Sequence, residues 1–95
     1  MNLIPEQFEA ALWSYDIRAL DLGRDKELII TRLLNYGDWD AVRWVNKTYG
    51  EAAIRAVVSQ PRRGVWLPRV LNFWLKMLGI ELSLEKQKRA LMIIC

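Results

Sequence analysis

Apolar residues along this chain return every three or four positions, the spacing of one face of an α-helix. Phe8 and Leu12 stand one turn apart behind Ile4, and Pro5 suits a first helical position, so a short helix is expected over 5–12. Trp13-Ser14-Tyr15-Asp16 interrupts the pattern and reads as irregular. The clearest stripe is Ile29, Ile30, Leu33, Leu34 and Tyr36, in a helix over 24–36. Asp21 precedes it as a cap, Asp25 and Glu27 suit the positive first turn, and Gly37 is the stop.

A helix over 39–48 begins behind Asp38. Ala41, Val42, Val45 and Tyr49 face one way, Trp44 widens that face, and Gly50 ends it. Glu51 to Ser59 sets Ile54, Val57 and Val58 on one side and stops before Pro61. After the loop Arg62-Arg63-Gly64, a helix over 67–78 takes Pro68 into its first turn. It presents Val70, Leu71, Trp74, Leu75 and Leu78 and closes at Gly79. A last helix over 84–94 has Ser83 as cap and Glu85 in its first turn. Leu84, Leu91 and Ile94 align along it, opposite Lys86, Lys88 and Arg89.

No segment sustains a period of two. The expected class is therefore all-α: a compact array of five or six short helices, with 24–36, 39–48 and 67–78 as its core. The pair of helices around Gly50, residues 39–59, has the length of a helix-turn-helix-like unit.

A chain of 95 residues without repeat or linker is expected to form one domain, 1–95. Its apolar share of 53%, with five tryptophans, exceeds what so small an interior obviously needs. Some apolar surface is expected to stay exposed as an interaction site. The net charge of +3 is unevenly spread: residues 1–54 hold six basic and nine acidic side chains, residues 55–95 eight and two. The C-terminal part is a candidate surface for an acidic partner or nucleic acid, or a solvated basic face.

The lone Cys95 builds no disulfide within the chain, the N-terminus lacks a basic leader, and no apolar run approaches the ~20 residues of a membrane span. A cytoplasmic protein without membrane attachment is expected. The chain has no histidine, no cysteine pair and no glycine-rich phosphate loop. Ser14, Ser59 and Ser83 lack a base beside them, and Asp38 and Asp40 are more simply explained by capping. No catalytic residue, metal ligand or cofactor is expected.

Three groups remain as binding candidates. Arg62, Arg63 and Arg69 surround the start of a helix, where guanidinium groups grip phosphates bidentately; Arg55 joins them if the partner is DNA. Among the tryptophans Trp13, Trp39, Trp44, Trp66 and Trp74, the last sits in a stripe and belongs to the core. Trp39 and Trp66 are candidate surface anchors, with packing over the core edge as the plainer alternative for Trp66. The end Leu91-Met92-Ile93-Ile94-Cys95 either folds back or associates with another chain. Ile93 and Ile94 point about 100° apart on a helix, so association through Leu84, Leu91, Ile93 and Ile94 is favoured.

Two blocks carry a family resemblance. The stretch ending at Gly50, ELIITRLLNYGDWDAVRWVNKTYG, and the stretch Leu67 to Ile80, LPRVLNFWLKMLGI, resemble consecutive segments of a family of small helical bacterial proteins. The upstream ALWSYDIRALD resembles that family's leading segment, so the likeness covers about 11–80. Two departures stand out: the loop SQPRRGVWLP is longer here, and 81–95 has no counterpart. Such proteins are encoded beside AbiEii-type nucleotidyltransferase toxins. The resemblance implies a non-enzymatic antitoxin that binds and neutralises a cognate toxin. The alternatives are a small DNA-binding transcriptional regulator using Arg55, Arg62, Arg63 and Arg69, or a homodimeric adaptor module.

Overall fold

A computed structural model describes residues 4–12 and 15–91 of the chain. Its elements run in the order 3-10 helix Glu6–Leu12, α1 Lys26–Tyr36, α2 Trp39–Tyr49, α3 Glu51–Ser59, α4 Pro68–Leu78 and α5 Leu84–Ala90. Among the described residues there is no strand, only an isolated parallel bridge between Trp66 and Leu91. The all-α class expected from the 3.6-residue period is the class observed. Two compact units divide the chain, Met1–Thr48 and Tyr49–Cys95. Among the described residues no helix is long and apolar enough to cross a membrane.

In the first unit the 3-10 helix packs on α1. Phe8, Ala11 and Leu12 of the former and Ile29, Ile30, Leu33 and Leu34 of the latter are buried. The short helix is wound more tightly than its pattern suggested: the Phe8 N–H donates to the Pro5 carbonyl at 3.0 Å. Winding of this kind eclipses residues three apart, which puts Phe8 and Ala11 on one buried line.

Asp21 caps the turn ahead of α1 instead of the helix itself. Its Oδ1 accepts the N–H groups of Gly23 at 2.8 Å and Arg24 at 2.7 Å, and these bonds hold its carboxyl below the usual range. Asp25 Oδ2 accepts the Asp21 N–H at 2.9 Å and pairs with the Arg24 guanidinium at 2.8 Å. That guanidinium lowers the Asp25 pKa in turn. The turn occupies residues 22–25, so α1 begins at Lys26.

Gly37 ends α1 by turning extended at ψ 171°, and the space around it admits no side chain. A Cβ there would lie 2.5 Å from the Ala41 Cβ and 2.6 Å from the Leu33 carbonyl oxygen, while its φ of −84° is open to any residue. Asp38 caps α2 as expected, its Oδ1 accepting the Ala41 N–H at 3.0 Å, and Asp40 pairs with Arg43.

In the second unit α3 packs on α4, and Ile54, Val57, Val58, Leu71, Trp74 and Leu75 are buried. Pro68 takes the first turn of α4, and Gly79 ends it in the left-handed region at φ 64°. Trp74 is core, as its stripe implied.

Two expectations are corrected in this unit. The helix expected over 84–94 ends at Ala90, since Leu91 is extended at φ −72°, ψ 140°. The Arg89 and Ala90 carbonyls accept the N–H groups of Gly64 and Trp66, each at 2.8 Å. In a longer helix those carbonyls would accept from residues four further on. Trp66 is the second correction: it is 0% exposed, so the unit consumes it as core and it is not a surface anchor.

Candidate functional site

The loop from Gln60 to Trp66 and helix α5 are drawn together by the bridge at Trp66. Gly64 makes this turn at φ 75°, a conformation that side chains disfavour, and its N–H reaches the Arg89 carbonyl. Trp66 is fully buried, and the burial of so large an apolar side chain favours this placement of the loop. Beside it opens a cleft of about 250 Å³, lined by Ser59, Gln60, Pro61, Arg63, Lys86 and Arg89. Among the described residues its charged lining is wholly cationic. Arg89 is steadied by Glu85 at 2.7 Å, one helical turn before it.

A second surface is the outward side of α4. Phe73 and Met77 lie one turn apart and are 38% and 60% exposed. Arg69, one turn before Phe73, is exposed, as are Asn72 and Lys76. The helix contains no acidic residue. Phe73 meets Trp74 edge-on at 5.4 Å between ring centres, which ties the exposed ring to a buried neighbour.

The residues singled out in sequence are distributed as follows. Arg63 enters the cleft; Arg62 is exposed in the same loop and Arg69 on α4, and neither lines the cleft. Arg55 donates to the Leu78 carbonyl at 2.9 Å, where a cation suits the negative end of α4. Leu84 is 72% exposed, and Leu91 is half-buried in the bridge. Ile93 and Ile94, like Trp13, lie outside the described residues. Trp39 is 61% exposed at the start of α2, as a surface anchor would be. Gly50 alone separates α2 from α3, shorter than the ~3–4-residue turn of a helix-turn-helix.

Sequence reasoning missed two groups. Phe73 and Met77 fall off the stripe of Val70, Leu71, Trp74, Leu75 and Leu78, and apolar residues off a stripe are the signal that would have found them. Lys86 and Arg89 read as the polar face of the helix and the rim of an association surface, not as part of a cleft, because nothing local announces the bond between Gly64 and Arg89.

Residues 8–58 match a family of unknown function, DUF6922, and so cover more than half of the chain. No curated protein and no solved structure matches the chain.

Proposed function

The chain belongs to the DUF6922 family, whose function is unknown, and from its exposed surface we propose that it is a non-enzymatic protein-binding module that docks through the exposed face of α4. The observation that carries this reading is the pair Phe73 and Met77, apolar and exposed one turn apart on a helix without acids. Aromatic and methionine side chains are enriched at interfaces, the ring as a rigid anchor and the flexible thioether as a surface that adapts to its partner. Arg69 and Lys76 flank the pair, so the partner surface is an apolar patch rimmed with carboxylates. The family match ends at residue 58, ahead of α4, so the docking face lies in the part of the chain that the match does not cover.

The partner class comes from the resemblance of the two sequence blocks to toxin-associated proteins. On that ground the module is an antitoxin, covering the active site or another essential surface of a nucleotidyltransferase. Co-expression with the toxin encoded beside it tests both statements. Wild type is expected to restore growth and to co-purify with the toxin. Phe73→Asp with Met77→Asp places two charges in the contact and is expected to abolish both effects while the helical circular dichroism is kept. A wild-type chain that neither rescues nor co-purifies overturns the antitoxin reading. A double variant that still co-purifies overturns the α4 surface. Assembly of the isolated chain into dimers that the double variant loses assigns the face to a second copy, the adaptor alternative.

A further inference from the structure

The cleft between the Gln60–Trp66 loop and α5 is not used by the α4 reading and does not depend on it. We propose that it binds a stretch of nucleic-acid backbone, whose phosphates Arg63, Lys86 and Arg89 each neutralise in turn.

The cleft is built by the fold. The bonds from Gly64 to Arg89 and from Trp66 to Ala90 fix the backbone next to Arg63 and at Arg89. Lys86 and Arg89 are three apart on α5 and therefore share a face. Arg89 has one guanidinium nitrogen engaged by Glu85, and the fork keeps further donors for an anion. Among the described residues no ion pair engages Arg63 or Lys86. Three like charges at one cleft repel one another, and an anion between them relieves that repulsion. Ser59 and Gln60 add neutral donors. The carboxyl end of α3, at Ser59, works against an anion, but it is a partial charge facing three whole ones.

The lining also selects the kind of phosphate. Among the described residues it contains no aromatic ring on which a base could stack and no carboxylate. A free nucleotide would gain no stacking there. A phosphodiester backbone needs only the charges, and Arg62, exposed in the same loop, extends them beyond the cleft. This is the sequence-independent mode of nucleic-acid binding, in which phosphate contacts position the protein and release counterions.

The test is fluorescence anisotropy of the full chain with a short labelled DNA duplex of mixed sequence, titrated at several salt concentrations. Three neutralised phosphates give a log–log slope of about −2.7, which is about 40-fold weaker binding between roughly 50 and 200 mM salt. Arg63→Ala with Lys86→Ala is expected to leave a slope of about −0.9 and a loss of about 3-fold over the same range. Both side chains are exposed, so the fold is retained, and circular dichroism checks it. Glu85→Gln releases Arg89 and is expected to tighten binding. Lys47→Ala, on α2 of the first unit, is expected to leave it unchanged. No salt-dependent binding at the low end, or a double variant that binds as wild type does, overturns the proposal. So does polyglutamate that displaces the duplex as well as unlabelled DNA does at equal charge, which would assign the cleft to an acidic protein.

Discussion

The Gly64 amide donates to the Arg89 carbonyl at 2.8 Å, and that bond sets a loop arginine beside the end of α5. A segment remote in sequence thereby becomes part of the second unit, and the cleft exists because of it. The two ends of α5 differ in their surroundings. Leu91, just past its last turn, pairs with Trp66, while Leu84 at its start stays in solvent.

Truncation after Leu82 is therefore expected to destabilise the protein. It removes both carbonyls of the bridge, each bond being worth about 0.5–1.5 kcal/mol net, and it uncovers the loop around Trp66. Thermal unfolding followed by circular dichroism should show a lower midpoint, and tryptophan emission should shift to the red. An unchanged midpoint and emission maximum would show that the bridge contributes nothing to the unit.

Trp66 itself offers a sharper comparison. Its side chain is fully buried, and its indole N–H meets no acceptor among the described residues. Trp66→Ala removes a large ring and is expected to cost about 3–5 kcal/mol. Trp66→Phe keeps most of the apolar volume and removes a polar group that gains nothing from burial, so it should cost distinctly less. Urea midpoints of the two variants decide this; equal losses would mean that the N–H does find a partner.

What the sequence could convey here depended on the range of the interaction. The stripe from Ile29 to Leu34, the Asp38 cap and the stop at Gly79 are set by residues within a few positions, and each was legible. The turn from Asp21 to Asp25 is equally local, but two acids compete to open one helix, and only geometry shows that Asp21 serves the turn. The end of α5 was not legible at all. Leu91 continues the helical apolar spacing, yet its neighbours' carbonyls are taken by Gly64 and Trp66. For the same reason Trp66 looked like a loop aromatic, although the bridge buries it.

Gly37 gives a test of close packing without backbone strain. Gly37→Ala adds a methyl within 2.5 Å of the Ala41 Cβ and 2.6 Å of the Leu33 oxygen, neither of which can swing aside. Overpacking of this kind typically costs about 1–3 kcal/mol. The loss should appear as a reduced urea midpoint with an unchanged slope. Paired with Ala41→Gly, the variant should recover part of the loss, since one of the two clashes is then removed; no recovery would place the strain at Leu33 alone.

The turn before α1 carries a pH dependence whose sign follows from its bonds. Asp21 accepts two backbone N–H groups and Asp25 accepts the Arg24 guanidinium, and both carboxyls titrate below their usual range. A carboxyl whose folded pKa is lowered stabilises the fold fully above its unfolded value of about 3.9 and loses that contribution as pH falls through the folded value. Asp21 is exposed and Asp25 is half-buried beside an exposed guanidinium, so the effect is modest and falls with added salt. Asp21→Ala should lower the thermal midpoint by a constant amount between about pH 5 and 7, and the gap to wild type should narrow below about pH 4. Protonated Asp21 no longer offers the charge that holds the Gly23 and Arg24 amides, so the two proteins converge. A gap as wide at pH ~2.5 as at neutrality would show that the charge on Asp21 contributes nothing and that its loss acts through the shape of the turn alone.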